Sequence, residues 1–424
     1  MVGGPLAGVN VLEFSVVVAG PAAGMHLSDL GARVIKVEAP GGEPFRASGA
    51  VVKGYGKSFS WLNHGKQSLE IDVAHPQGRQ AIHRMVPNID VVVINFRPGV
   101  PERLGIDYQT LSAIRPDLVY VDITGFGASG PLASRSASDI VAQAYGGAIA
   151  LDGKSDEHGA PLSVAIALAD APTGMAAAMA VLAALYHRAR TGEGQLVRAS
   201  LLRSVLNLTG FQNMREPASD PIAIQPLLDE MERVRERGGS YDEIVAARAQ
   251  FARRTQGANL FYGGYRAKDG GLVLGALTPA NREAFRRVLG ITGDRHDEPD
   301  FDPRDPHNLA VAETLREQLR QKLLTRTVDD WIEVFDKAGA PAAPVNYPEQ
   351  VALDAHAGGM FVEVEHEVVG AQQMMGPLFE LERTPSRVAG AAPRVGQHSA
   401  QVLAELAGYT EAELADLRAH GVLA

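Results

Sequence analysis

The feature that most constrains the fold of this chain is the regular alternation of apolar, strand-like segments with helical segments over the first two hundred residues. Strands are predicted at residues 9–14, 33–38, 67–73, 90–96 and 118–124. Strands that alternate with helices form a parallel sheet, because each helix carries the chain back to the starting edge. The continuous apolar run in 90–96 is typical of a strand buried on both faces. The pattern therefore predicts an α/β fold around a parallel sheet.

A chain of 424 residues is too long for one ordinary core, so we expect a second, smaller α/β domain. The sequence becomes charged and helical after about residue 215, and strand-like pairs at 260–266 and 271–277 follow it. Two more strands are predicted at 360–366 and 377–381. We therefore expect four segments: the N-terminal part of a large domain (1–200), a linker or helical connection (201–258), a small α/β domain (259–350) and a return segment completing the large domain (351–424).

Composition and charge exclude several classes of function. The formal net charge of −10 argues against nucleic-acid and membrane partners, although a local basic cluster could still bind an anionic ligand. There is no cysteine, which excludes disulfides and thiolate nucleophiles. The N-terminus has no signal-peptide pattern, and the longest apolar run, 174–186, is too short to span a bilayer. These features predict a cytoplasmic protein.

The common catalytic motifs are missing. The first turn, residues 16–24, lacks the G-x-G-x-x-G of a dinucleotide site, and 127–131 lacks the final glycine of a nucleophile elbow. The sequence also has no P-loop and no H-E-x-x-H pair of metal ligands. No metal site is therefore predicted.

Asp170 is the strongest candidate for a reactive residue. It lies where an apolar, strand-like run meets a long helix, 173–190, that is apolar nearly all round and is predicted to be buried. At a helix N-terminus the macrodipole and free backbone N–H groups would hold this carboxylate ionised at neutral pH, which suits a nucleophile. The ordinary alternative is an aspartate that only caps the helix.

Several short motifs occur in order along the whole chain. They include 5–9, 29–38, Asn63-His64-Gly65-Lys66, Asn95-Phe96-Arg97-Pro98-Gly99, Arg103-Leu104-Gly105, 125–131, 139–143, 191–195, 339–345 and 396–398. In this order and spacing they resemble the class III CoA-transferases of the CaiB/BaiF type, the family of formyl-CoA transferase and crotonobetainyl-CoA:carnitine CoA-transferase. The resemblance implies a Rossmann-like large domain and an interlocked homodimer, with residues 215–254 as the expected link.

The resemblance also implies a mechanism. Asp170 would attack an acyl-CoA thioester to give an aspartyl mixed anhydride, and a free carboxylic acid, possibly a dicarboxylate such as succinate or malate, would then receive CoA. No tightly bound cofactor is expected, since coenzyme A enters as part of a substrate. The implied CoA-binding residues are Val18 and Ala19 along the pantetheine path, Lys66, Arg97 and Arg103 at phosphates, Asn95 and Phe96 near the adenosine, and Asn63.

Three alternatives stay open from the sequence. An α-methylacyl-CoA racemase needs an acid/base pair, and Ser138 stands where the family pattern for that activity has a histidine. Transfer within one molecule and a non-catalytic acyl-CoA-binding protein are the others. The family's glycine-rich lid is reduced here to Gly263 and Gly264, so the role of these glycines is open.

Overall fold

The structure is a computed structural model that describes residues 3–256, 259–303 and 305–423. The chain folds as two compact units: Met1–Met214 with Gly359–Ala424, and Arg215–Gly358. The return segment predicted to begin at 351 begins at 359 in these units, and the first part of the large domain, predicted to end at 200, extends to 214. The segment predicted as a linker, 201–258, divides between the two units, with its larger part in the second. Residues 257 and 258 at the end of that segment lie outside the described residues.

Strands and helices follow in chain order. The strands are β1 (Asn10–Phe14), β2 (Arg33–Glu38), β3 (Gln67–Glu70), β4 (Val91–Ile94), β5 (Val119–Thr124), β6 (Gln195–Ser200), β7 (Tyr262–Arg266), β8 (Gly271–Gly275), β9 (Ala342–Pro344), β10 (Phe361–His366) and β11 (Gly370–Met375). The helices are α1 (Ala19–Asp29), α2 (Lys57–Asn63), α3 (Pro76–Met85), α4 (Val100–Leu104), α5 (Tyr108–Ile114), α6 (Asp139–Tyr145), α7 (Ala148–Asp152), α8 (Asp170–Thr191), α9 (Leu201–Leu208), α10 (Gly210–Asn213), α11 (Asp220–Ala223), α12 (Gln225–Glu236), α13 (Tyr241–Gln256), α14 (Pro279–Leu289), α15 (Pro306–Leu323), α16 (Val328–Ala338), α17 (Pro348–Val351), α18 (Ser399–Ala407) and α19 (Glu411–Ala419).

The first unit is built on a six-stranded sheet in the order β3-β2-β1-β4-β5-β6, with every pairing parallel. This is the strand order of a Rossmann-like, doubly wound sheet. The α/β fold class predicted from the alternation is therefore confirmed. The order reverses between β1 and β4, and ligands of such sheets bind in the crevice beyond the carboxyl ends of the strands at that point.

Apolar layers cover both faces of this sheet. Strand β4 is buried along its whole length, as its continuous apolar sequence predicts. One face packs against α3 and the C-terminal helices, through residues such as Val402 and Leu414. The other face packs against α1 and α8, through residues such as Leu27 and Val181. The chain thus returns from its second unit to complete the core of the first.

Two sequence predictions for this unit are wrong. The strand that pairs with β10 is β11, not residues 377–381, because Gly370 at a φ of +75° turns the chain back before that segment begins. The helix predicted to be wholly buried, α8, exposes one apolar face of the single chain at Met175, Met179, Leu182 and Tyr186. A helix that is apolar all round is expected to be covered on every face, but its sequence does not show whether the same chain or another molecule covers each face.

The second unit has an antiparallel sheet in the order β7-β8-β9. Its core stacks Phe261 on Phe285 and Trp331 on Phe335. Gly263 and Gly264 lie inside β7, opposite Leu274 and Val273 in an uninterrupted register. In the part of the chain that the structure describes, no helix is long and apolar enough to cross a membrane.

Candidate active site

A cavity of about 530 Å³ opens at the crevice where the strand order reverses. Its walls come from the segments that follow β1, β4 and β5, together with the first turn of α8. Six residues predicted from the sequence line it together: Val18, Ala19, Asn95, Phe96, Arg97 and Asp170. These residues are far apart along the chain, and they meet because the carboxyl ends of parallel strands share one edge of the sheet.

Asp170 is the first residue of α8, but it does not cap the helix. The backbone N–H groups of Ala169 and Asp170 both donate to Oδ1 of Asp139, at 2.7 and 2.8 Å. The other oxygen of Asp139 accepts from the buried side chain of Gln143, whose own oxygen accepts from the N–H of Val164 at 3.0 Å. Asp139 therefore occupies the donors that the sequence analysis assigned to Asp170.

The sequence analysis expected the helix N-terminus to favour the ionised form of Asp170, and the pKa of this group in the structure differs from that expectation. Burial and, to a smaller extent, the negative charge of Asp139 together raise the pKa of its carboxyl to about 6. No described protein group donates a hydrogen bond to this carboxylate, which faces the cavity. With a pKa of about 6 the group is ionised in about nine of ten molecules at pH 7. At neutral pH it is thus an ionised carboxylate that lines the cavity.

The loop between β1 and α1 is held in an uncommon conformation beside Asp170. Val17 has a φ of +67°, in the left-handed region that β-branched residues rarely adopt. The side chain of Asn95 accepts from the N–H of Val16 at 2.9 Å and donates to its carbonyl oxygen at 2.8 Å. Asn95 therefore holds the loop with one donor and one acceptor of its amide, and it also lines the cavity.

A glycine brings this loop close to Asp170. Gly174 is buried in the first turns of α8, and a Cβ atom at this position would lie 2.5 Å from the Cβ of Ala22 and 2.9 Å from the carbonyl oxygen of Ala19. Any side chain would push α1 away from α8. Because Gly174 has no side chain, the start of α1 can approach the start of α8, and Val18, Ala19 and Asp170 line the same wall of the cavity.

Two cationic side chains border the cavity. Arg97 lines it and also lines an adjoining cavity of about 300 Å³, where Arg135 joins it. Both side chains are exposed and lie where a polyanion could reach them. Arg103, also predicted, is exposed in the last turn of α4, whose residues Val100 and Leu104 line the cavity.

The other two predicted CoA-binding residues lie elsewhere. Asn63 and Lys66 are buried, and the Lys66 ammonium contacts Glu13 at 2.8 Å, the Pro21 carbonyl at 2.8 Å and Asn63 at 2.9 Å. Burial lowers the pKa of Lys66 to about 8, while Glu13 opposes that shift. The phosphate contact predicted for Lys66 has no support in this arrangement, because its three donors already have partners.

Lys66 belongs to a buried group of acidic and basic side chains that we call the ionic cluster: Glu13, Lys36, Glu38, Glu43, Arg46 and Lys66. Lys36 lies 2.9 Å from Glu43 and 3.3 Å from Glu13. Arg46 forms a two-point pair with Glu38, at 2.6 and 2.7 Å. The three acids and three bases balance, so each buried charge has an opposite partner.

Sequence reasoning missed Asp139 and Arg135. Asp139 is in the first turn of a helix, a common place for an acidic residue, and no sequence signal shows that it caps a different helix. Arg135 is a single arginine in the segment just after the glycine-rich motif 125–131. The sequence signal that could have identified Arg135 is its position beyond the carboxyl end of β5, where ligands of such sheets bind.

Comparison with known proteins gives an independent result. The family model described as CoA-transferase family III matches residues 6–399. Human succinyl-CoA:glutarate CoA-transferase is 29% identical over 99% of this chain and 90% of its own length. The succinyl-CoA:D-citramalate CoA-transferase of Chloroflexus aurantiacus is 31% identical over 99% and 98%. A crystal structure of a CAIB/BAIF family protein from Brucella suis has a TM-score of 0.73 at 27% identity, covering 95% of this chain and all of that one.

Proposed function

The chain belongs to CoA-transferase family III and is an enzyme of that class, and we propose that Asp170 is the nucleophile through which it moves CoA from an acyl-CoA to a free carboxylic acid. The observation that carries the proposal is the Asp170 carboxylate itself. It is ionised at neutral pH, has no donor among the described residues and faces a cavity bordered by arginines. This combination suits a carboxylate that must attack rather than support a helix.

The proposed reaction needs no redox step. The Asp170 carboxylate attacks the thioester carbonyl carbon, the C–S bond breaks, and CoA leaves as a thiolate. The acceptor carboxylate attacks the aspartyl carbonyl of the mixed anhydride, which releases the donor acid and forms a new anhydride. The thiolate then attacks the acyl carbon of that anhydride, which forms the new thioester and restores the Asp170 carboxylate.

The CoA chain is proposed to enter the cavity along Val18 and Ala19, with its phosphates near Arg97 and Arg135. Guanidinium groups bind phosphates through two parallel hydrogen bonds, and both of these are exposed and able to move toward a ligand. Arg103, exposed in the last turn of α4, is a further candidate. Asn95 holds the loop at Val16 and so positions this wall of the cavity.

We propose that one of the exchanged acids is a dicarboxylate. The printed names of the human and Chloroflexus relatives both include succinyl-CoA, with glutarate or D-citramalate as the other acid. Succinyl-CoA is therefore the donor to test first. Transfer between two carboxyl groups of one molecule uses the same chemistry and would appear in the same assay as an isomerised CoA ester.

The racemase alternative has less support. That reaction needs a group to remove the α-proton and another to return it from the opposite face. Among the described residues that line the Asp170 cavity there is no histidine, and Ser138 lies where one would be needed. A hydroxyl group does not exchange protons with a carbon acid at neutral pH.

A homodimer is the proposed assembly. Met175, Met179, Leu182 and Tyr186 form one stripe along α8 and are 36–68% exposed in the single chain. An apolar stripe at helical spacing, exposed over several turns, marks a surface that another protein covers. A second copy of this chain is the partner that the family resemblance implies, with the 215–254 segment as the expected link.

Trapping the intermediate tests the proposal. The enzyme is mixed with succinyl-CoA and quenched with hydroxylamine, and the peptide that contains Asp170 is analysed by mass spectrometry. We expect a hydroxamate on Asp170 in the wild type, no hydroxamate in Asp170→Asn, and transfer slower by about 10³-fold or more in that variant. Wild-type transfer by Asp170→Asn would refute the proposed nucleophile, and binding of acyl-CoA without any transfer would indicate a binding protein.

A further inference from the structure

A second cavity, of about 480 Å³, adjoins the Asp170 cavity and has no role in the mechanism so far. The two cavities share Val18, and the wall of the second includes Ala171 and Pro172, the residues that follow Asp170. An acyl group attached to Asp170 therefore has a neighbouring space next to its point of attachment. The volume lies within the range of small-molecule sites in proteins.

The lining of this second cavity is mainly apolar. Its apolar residues include Val18 and Met25 on the side of α1, Trp61 and Leu62 from α2, and Leu168 before α8. Arginine and lysine are absent from the described residues that line it. A ligand therefore exchanges water for hydrocarbon along most of its length, which favours an apolar body by about 25 cal/mol for each Å² buried.

The polar edge of the cavity consists of His26, Asp29 and His64. His64 contacts the Trp61 carbonyl oxygen through Nδ1 at 2.6 Å and Asp29 through Nε2 at 2.8 Å. A carbonyl oxygen only accepts, so Nδ1 carries a proton, and the contact with Asp29 needs a second proton on either partner. Either placement leaves the His64–Asp29 pair without net charge.

His26 adds no fixed charge at neutral pH. Burial lowers the pKa of its imidazole, although Asp29 opposes the shift, so that the ring is neutral at pH 7. The cavity thus offers neutral hydrogen-bonding groups at one edge and no cation. A second carboxylate placed there would lose its water without gaining a counter-charge, which is costly.

We propose that the second cavity binds the body of one of the two exchanged acids, and that this acid is a monocarboxylic acid with a branched or aromatic apolar body. The inference rests on the proposed function, because the carboxyl group of the acid must reach Asp170 past Val18. The other acid is the small dicarboxylate, whose short chain does not need the cavity. A hydroxyl or carbonyl group on the apolar acid could bind His26.

A competition between acceptor acids tests the proposal. Succinyl-CoA is the donor, and 4-methylpentanoate, 3-phenylpropanoate and glutarate are offered as acceptors to the full-length enzyme, with the CoA esters quantified by mass spectrometry. We expect kcat/KM for an apolar acid to exceed that for glutarate by at least about tenfold, the equivalent of 1.4 kcal/mol. Equal values, or a preference for glutarate, would overturn the proposal.

Filling the cavity gives the matched test. Ala167 lines it, so Ala167→Phe is expected to lower kcat/KM for the apolar acids by at least tenfold and to change glutarate transfer by less than twofold. The control is Ala404→Phe, at an exposed position in α18 that lines neither of the two cavities, which should change neither value. Ala167→Leu repeats the test with a smaller side chain if Ala167→Phe does not fold. An equal loss for all acids, or no loss, would contradict the proposal.

A binding measurement separates this inference from the proposed function. Calorimetric titration of the protein with 4-methylpentanoate should show binding to the wild type and to Asp170→Asn, and at least tenfold weaker binding to Ala167→Phe. If no acid is transferred, the proposed function fails, and selective binding would still support the cavity inference. If Ala167→Phe instead changes the oligomeric state, a second copy of the chain fills the cavity and the inference is wrong.

Discussion

At the scale of single residues, two carboxylates near one helix end have different roles. Asp139 accepts both backbone N–H groups at the start of α8 and so takes the stabilisation that this end offers. Asp170 lies in the same turn and accepts no hydrogen bond from the described residues. Burial and, to a smaller extent, the charge of Asp139 raise its pKa, so that it holds a proton more tightly than a free carboxyl group.

The pH dependence of transfer follows from this arrangement. Asp170 must be ionised to attack, so kcat/KM for the acyl-CoA should fall as pH decreases through about 6, by tenfold for each further pH unit. Asp139→Asn keeps an oxygen for the helix N–H groups but removes a negative charge, so the midpoint should move below 6. Initial rates between pH 4.5 and 8 measure it. A midpoint that is unchanged or higher in Asp139→Asn would contradict the assignment.

The same pKa shift predicts that the ionised Asp170 lowers the stability of the folded protein. The folded pKa of Asp170, about 6, is above the unfolded value of 3.8, so the folded state binds the proton more tightly and loses relative stability as pH rises from about 4 to 6. Asp170→Asn should therefore raise the free energy of unfolding by roughly 1–3 kcal/mol at pH 7 and by little at pH 4. Urea denaturation at both pH values is the measurement. A variant that is less stable at pH 7 would count against the raised pKa.

At the scale of elements, the loop after β1 links the candidate site to the interior. Val16 is held by Asn95, Ser15 donates to Glu13 at 2.8 Å, and Glu13 pairs with Lys66 in the ionic cluster. Hydrogen bonds at the adjacent residues Ser15 and Val16 therefore fix the loop that forms one wall of the cavity. A rigid wall can hold Val17 at its positive φ, which costs about 1–2 kcal/mol.

Two basic residues from matched motifs should respond differently to the same substitution. Lys66→Met leaves Glu13 buried without its nearest cation and should lower the free energy of unfolding by about 3–5 kcal/mol, while KM for acyl-CoA changes by less than about twofold in the folded fraction. Arg97→Met is the control: its side chain is exposed, so stability should change by less than about 0.5 kcal/mol while KM rises. A raised KM with little change in stability in Lys66→Met would instead support Lys66 as a phosphate ligand.

At the scale of the whole molecule, the apolar stripe on α8 is one of the surfaces that the single chain leaves exposed. The helix begins with the proposed nucleophile, so a partner that covers the stripe also stabilises the element that carries Asp170. Assembly and catalysis would then depend on one helix.

A charge in the stripe tests this dependence. Met179 is 68% exposed in the single chain, and Met179→Glu should convert a dimer to a monomer because an unpaired carboxylate would be buried at the contact. Light scattering after size-exclusion chromatography gives the mass directly. The control is Ala404→Glu, at an exposed position in α18, which should leave the mass unchanged. A dimer that survives Met179→Glu would place the contact elsewhere.

The sequence by itself determined the α/β alternation, five of the six strands of the parallel sheet, the family and the position of Asp170 at a helix start, whereas β6 was not predicted. These features depend on local periodicity and on motifs whose order survives in a single chain. The strand predicted at 377–381 was wrong because alternation of apolar and polar residues over a few positions does not identify the partner strand.

Only the tertiary structure decided which residues meet. Lys66 and Arg97 stand in equally well-matched motifs, yet one is buried against Glu13 and the other lines the cavity. Asp139, 31 residues before Asp170, takes the helix N–H groups that local sequence assigned to Asp170. Burial, pKa and cavity walls depend on side chains that are distant in the chain and adjacent in space, and no local pattern carries that information.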